Sequence, residues 1–161
     1  VSPFEEHVED LQRHIRRVQD NAGMLAAKLA DAGQTAFAKA LLANVQKHDA
    51  SKWHGIEWEV MHVGPNVDKK LLAKAVQQHQ STNKHHPEYW GGLDAMPSIF
   101  IAEMVCDWLA RSQEFGSDLR AWVATDAVKR YPADPEQWAV VHAYVDQLLP
   151  AKFVKDLNTE G

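Results

Sequence analysis

Residues 4–29, FEEHVEDLQRHIRRVQDNAGMLAAKL, decide the fold class. Apolar or small side chains fall at Phe4, Val8, Leu11, Ile15, Val18, Ala22, Leu25 and Leu29, at alternating spacings of four and three. That period lays one apolar stripe along a long amphipathic helix. Asp31-Ala32-Gly33 supplies a glycine where such a helix ends. A second helix follows from about Gln34 to Asp49, with Phe37, Leu41, Leu42 and Val45 turned inward, and the two pair as an antiparallel hairpin. Residues 53–67, WHGIEWEVMHVGPNV, show no clean period and carry Gly55, Gly64 and Pro65, so they are expected as a long loop with one short helical turn.

Asp68 caps a third helix whose Leu71, Leu72, Ala75, Val76 and His79 share a face. A second loop, NKHHPEYWGGLDAM, occupies residues 83–96. Pro97 opens the segment SIFIAEMVCDWLARSQEF, closed by Gly116. Ser117 is expected to cap the next helix, to about Arg130. Asp134-Pro135-Glu136-Gln137 reads as a capping-box-like start for a helix through Leu149, with a short tail helix after Pro150. No alternating run of strand length occurs. The expectation is therefore all-α, one bundle of six or seven helices over residues 1–161, with C-terminal helices across residues 117–157.

Composition narrows the function classes. Lys and Arg number 17 against 22 Asp and Glu, a net charge of −5, which excludes an extended nucleic-acid surface. The single cysteine, Cys106, excludes an internal disulfide framework and fits a reducing, cytoplasmic setting. No apolar run approaches a membrane span, and the opening VSPFEEHVEDLQ lacks the regions of a signal peptide. Histidine is abundant, with 9 in 161 residues, and two are adjacent. Such abundance points to metal ligation or proton transfer only where the spacing supports it.

His48-Asp49, read as the end of the second helix, offers an imidazole and a carboxylate from neighbouring residues, a pair suited to a divalent cation. His14 lies beside the apolar seam of the partner helix, with Asp10 one turn before it. His79 is on the inward face of the third helix, His85-His86 are in the following loop, and Asp107 sits within the apolar IAEMVCDWLA. A carboxylate there is costly to bury without a compensating partner. Cys106 points away from Asp107 and reads as a small core residue.

The order His14, His48-Asp49, Asp107 resembles the HD superfamily of metal-dependent phosphohydrolases. The likeness extends to the binuclear branch that includes the HD-GYP phosphodiesterases: Asp10 four before the first histidine, Lys52 three after Asp49, then His79 and the His85-His86 pair. The matched positions span Asp10 to Asp107, a metal-site core of residues 10–107. Two features depart from that branch. His79 and His85 are only 6 residues apart, and no Gly-Tyr-Pro follows His85-His86, so cyclic-dinucleotide specificity does not follow. HDASK, NKHHPEYW and EMVCDW also look like a group of small uncharacterised phage and bacterial proteins, for which no reaction is established.

The resemblance implies that His14, His48, Asp49 and Asp107 ligate one metal, and that Asp49 bridges to a second held by His79, His85 and His86. Manganese, iron, cobalt, nickel or zinc suits such ligands. Asp49 and Lys52 would be catalytic, Lys52 reaching a phosphate oxygen with help from Arg16, Arg17, Lys84 or Arg111. The expected substrate is a small phosphoester or a nucleotide. Asp10 reads as a neighbour of the ligands rather than a ligand, and His7, His54, His62 and His142 match no position. Trp53, Trp58 and Trp90, near the ligand loops, could wall a substrate, whereas Trp108, Trp122 and Trp138 read as core. Glu57 and Glu59 are pocket candidates better read as a solvated loop face. A di-iron oxygenase on the same scaffold and a non-catalytic helical binding protein with a remnant metal site are the competing functions. Oligomeric state is not legible.

Overall fold

The computed structural model describes residues 2–61 and 63–150. Within them the chain is all-α, with no strand. Helix α1 is Pro3–Asp31, α2 Thr35–Asn44, α3 Gly55–Val60, α4 Lys69–Thr82 and α5 Ser98–Phe115. Leu119–Trp122, a π-helical turn Val123–Ala127 and Val128–Arg130 run on without a break and together form α6. Helix α7 is Pro135–Leu148. The tail helix expected after Pro150 lies outside the described residues. No helix among them is long and apolar enough to cross a membrane.

Helix α1 packs against α2, α5 and α7, and its stripe supplies Leu11, Val18, Ala22, Leu25 and Leu29 to the core. Ile101, Ala102, Val105, Cys106 and Leu109 of α5 meet that stripe, with Leu41 of α2 and Val141 and Val145 of α7 closing the cluster. Each fully buried Leu, Ile or Val contributes about 1.5–3 kcal/mol relative to exposure. The expected stripe overreaches at its edges. Phe4, Leu42 and Leu71 are exposed, because they lie on helix faces that no neighbouring element covers.

The helix ends follow local chemistry. Ser2 and Glu5 form a capping box on α1. Asp68 accepts from the backbone N–H groups of Lys70 and Leu71 at the start of α4. Gly116, at φ 66°, ends α5 in the left-handed conformation that glycine adopts without strain. Two expectations change. Asp118 rather than Ser117 caps α6, through Ala121 N–H. Asp134 starts α7 but makes no side-chain cap; instead its backbone N–H donates to Asp94.

The largest difference lies between α2 and α4. Helix α2 stops at Asn44, a 3-10 turn covers Val45–Lys47, and His48-Asp49 stand beyond it in irregular backbone. Residues 53–67 are more ordered than their sequence suggests, with a 3-10 turn Ala50–Trp53 leading into α3. The loop of residues 83–96 likewise holds two 3-10 turns, Pro87–Trp90 and Leu93–Ala95.

Candidate metal centre

The break after α2 makes the site possible. Consecutive residues on an α-helix point about 100° apart, so a continued helix would splay His48 and Asp49. His48 is instead near-extended, at φ −53° and ψ 128°, and Asp49 is left-handed, at φ 54°. Asp49 is the sole non-glycine residue with positive φ among those described, and aspartate is one of the few side chains that tolerate it. Both side chains thereby turn to one point in the interior, where His48 is 2 % and Asp49 1 % exposed.

Four other segments deliver side chains to that point. His14 comes from α1, His79 from α4, His85 and His86 from the turn before Pro87, and Asp107 from α5. All the expected ligand residues are thus brought together. Asp49 divides its oxygens between two groups. Its Oδ2 lies 3.4 Å from the Nε2 atoms of both His14 and His48, and its Oδ1 lies 3.2 Å from those of His79 and His85. Asp107 spans the same groups, with Oδ1 3.0 Å from His14 Nε2 and Oδ2 3.7 Å from His85 Nε2. The rings of His48 and His85 approach to 4.2 Å between centroids, and those of His79 and His86 to 4.9 Å.

These separations can be compared with what a cation demands. Donor atoms about 2.1 Å from a shared ion stand about 3.0 Å apart at right angles and about 3.4 Å apart at tetrahedral angles. His14, His48 and Asp49 offer one such set, and His79, His85 and His86 another; either could hold an ion. Six buried atoms here have no hydrogen-bond partner: the Nε2 atoms of His14, His48, His85 and His86, Asp49 Oδ1 and Asp107 Oδ1. All of them but His86 Nε2 face an opposite charge at 3.0–3.4 Å without forming an aligned hydrogen bond, an arrangement that a shared cation would satisfy. The donor set, imidazole and carboxylate without thiolate, fits a transition metal.

The opposite ring nitrogens are all but one occupied by carboxylates. His14 Nδ1 lies 2.6 Å from Glu114 Oε1, and His79 Nδ1 lies 2.6 Å from Glu57 Oε1. His48 and His85 share Glu103 Oε2, at 2.8 and 2.9 Å. Such partners fix ring orientation and leave Nε2 as the donor toward an ion. Glu103 also stands close enough to His48 and His85 to count as a third potential ligand group. Its oxygen is already engaged with both Nδ1 atoms, which makes it a support for the rings.

Glu57 corrects the sequence reading: it is 1 % exposed and tied to His79. Helix α3 turns it inward, where Ser51 and Gln78 also donate to it, while Glu59 stays exposed. Glu103 and Glu114, which hold His48, His85 and His14, were missed by sequence reasoning. With Asp107 they fall on one face of α5, at offsets of four and seven residues.

The electrostatics follow from this packing. Burial works against the charge on His14, but the facing carboxylates of Asp107, Asp49 and Glu114 outweigh it and raise its pKa to about 9. His48 is raised well above its ordinary value against the same burial penalty, by Asp49 and Asp107. Burial also opposes the charge on Asp49, yet His48 and Lys52 hold it well below the carboxylate range. His86 moves the other way, to about 3, through burial and the adjacent His85.

Lys52 is 4 % exposed, with Nζ 3.1 Å from Asp49 Oδ2. It lines both cavities that reach the centre, of about 400 and 330 Å³, as do Arg111 and Phe115. Arg111 pairs with Glu114 at 2.9 Å, and Arg17 lies in the smaller cavity. Arg16 and Lys84 are exposed, and neither lines these two cavities. Asp10 sits on the rim of the smaller cavity, paired with Arg13 at 3.1 Å, away from the ligand atoms.

The expected aromatic walls are misplaced. Trp53 stacks on Trp58, which stacks on His7, while Trp90 donates to the Lys84 carbonyl; none of the three tryptophans borders either cavity. Trp108 and Trp122 pack against the core as expected and, being half-buried, also line the larger one. Trp138 is half-buried against the core, and Cys106 is fully buried there. His54 and His142 are exposed, and His62 lies outside the described residues.

A family model described as "Family of unknown function (DUF5662)" matches residues 4–150, and the chain belongs to that family. No curated protein and no solved structure matches the chain.

Proposed function

We propose that this member of the DUF5662 family is a metal-dependent phosphohydrolase of the HD type, acting on a small phosphoester. The observation that carries the reading is the division of Asp49 between two histidine groups, amid buried imidazole and carboxylate atoms that form no aligned hydrogen bond. His14, His48, Asp49 and Asp107 would hold one ion, with His79, His85 and His86 completing a second around the shared Asp49. Two bound ions supply water of lowered pKa and offset the charge that develops on a phosphoryl group.

The chain's own residues do the rest. Glu57, Glu103 and Glu114 keep four imidazoles oriented. Lys52, beside Asp49 at the junction of the cavities, offers a point charge to a phosphate oxygen. Arg111 offers a planar pair of donors from the same junction, held in place by Glu114. Because Lys52 is buried, its charge acts in a medium less screening than water.

The test is a screen of phosphomonoesters, phosphodiesters and nucleotides with manganese- or cobalt-loaded protein. Hydrolysis of at least one class is expected, abolished by Asp49→Asn and strongly reduced by Lys52→Ala. Activity that survives Asp49→Asn would overturn the assignment.

A further inference from the structure

The two cavities that meet at Lys52, Arg111 and Phe115 are chemically unlike. The smaller is lined by Arg13, Arg17 and Arg111, with Asp10 and Glu114, and suits an anion or water. The larger reaches the ligand group through His79, His86 and Asp107, and its lining also includes the aromatic and apolar side chains Trp108, Trp122, Tyr131 and Met61, with Arg130 over the Tyr131 ring. Trp108 meets Trp122 edge to face at 5.0 Å between centroids and lies nearly parallel to Tyr131, at 6.2 Å and 14°.

Three further features point to an occupant for the larger cavity. Its volume of about 400 Å³ lies within the range of small-molecule sites, about 300–1,000 Å³, and far exceeds the needs of a phosphate alone. Trp108 and Trp122 are both only half-buried and both line this cavity. Trp122 immediately precedes the π-helical turn Val123–Ala127, a local departure from α-helix that recurs at functional sites.

We propose that the alcohol part of the substrate is a planar ring system, seated against Trp108, Trp122 and Tyr131, with its phosphate at Lys52 and Arg111. This deepens the phosphohydrolase reading and rests on it for the phosphate. The ring site stands on the cavity alone. A nucleoside and a simple aryl group share the required chemistry, a flat face that stacks on aromatic side chains.

The test is equilibrium binding to manganese-loaded protein, followed by calorimetry and tryptophan fluorescence. The probes resist hydrolysis: phenylphosphonate, a nucleoside 5′-phosphonate and methylphosphonate, with inorganic phosphate as reference. At least one ring-bearing phosphonate should bind about tenfold or more tightly than methylphosphonate and quench tryptophan fluorescence. The tighter of the two identifies which ring the site accepts. Trp122→Ala should erase that advantage while inorganic phosphate binds within about twofold of wild type. The comparison among probes on wild-type protein needs no variant, so it holds even if Trp122→Ala misfolds.

Equal affinity for the ring-bearing and methyl probes, or no saturable binding of any phosphonate, overturns the proposal. Ring-dependent binding without hydrolysis of any ester would overturn the phosphohydrolase reading and leave the ring site standing.

Discussion

Glu57 Oε1 lies 2.6 Å from His79 Nδ1, and the ring they share presents its other nitrogen 3.2 Å from Asp49 Oδ1. A carboxylate on the short helix α3, in a stretch of sequence without discernible period, thus sets the direction of a histidine on the next helix.

Glu57→Gln is the first variant to make. The carboxylate orients His79, and loss of such a partner costs about 10–100-fold in metal affinity. Chelator competition should show that drop for one ion and little change for the other. Unchanged affinity for both would show that Glu57 only fills space.

Asp49 carries a second requirement, in its backbone. Asp49→Asn and Asp49→Ala both remove the charge beside the buried Lys52, and removing one partner of a buried pair costs about 3–5 kcal/mol. Alanine adds the left-handed penalty at φ 54°, about 1–2 kcal/mol, which asparagine largely avoids. Urea unfolding of the metal-free proteins should therefore rank wild type above Asp49→Asn and that above Asp49→Ala. Equal stability of the two variants would contradict the backbone argument.

The candidate ligands were legible because their order along the chain resembles the HD one: His14, His48-Asp49, His79, His85-His86 and Asp107 were singled out together, and the fold brings them to one point. The rule that singled out Asp107, an acid inside an apolar helix, applies equally to Glu103 one turn earlier and would have found it. Glu114 could have been found on the same face. Glu57 could not, because α3 has too few residues for its apolar side chains to show a period. The His48-Asp49 break was also hidden, since Phe37, Leu41 and Val45 give a helical period that runs straight toward it. The roles of the tryptophans depended on how α6 meets α5, a matter of tertiary packing.

Metal uptake should depend on pH with a definite sign. In the metal-free chain His14 has its pKa raised to about 9, and a ligating imidazole must be neutral. Below about pH 9 a proton must therefore leave His14 as an ion enters, and His48, also raised, adds a release of the same sign, so apparent affinity rises with pH from neutrality to about 9. His86, lowered to about 3, is already neutral and adds nothing to this dependence. Calorimetry in two buffers of different ionisation enthalpy should detect proton release at neutral pH. Affinity that is flat from neutral pH to about 9 would contradict it.

Cys106 provides a probe of the core beside the centre. It is fully buried, and burial, aided by Glu103 and Asp107, pushes its thiol pKa far above the ordinary value. A disulfide reagent at mildly alkaline pH should react with it on the timescale of unfolding, and at once in denaturant. Metal loading should slow the native reaction further, because ligands that bind only the folded state suppress opening. Rapid stoichiometric labelling of the native protein would show that α5 is not packed as described.

The central claim is that Asp49 lies between two bound cations. Anomalous diffraction at a transition-metal edge, on crystals of protein purified without chelator and soaked in manganese, tests it most directly. The account predicts two peaks, one within bonding distance of His14, His48, Asp49 and Asp107 and one of His79, His85, His86 and Asp49. A single peak beside Asp49, or none, would contradict it.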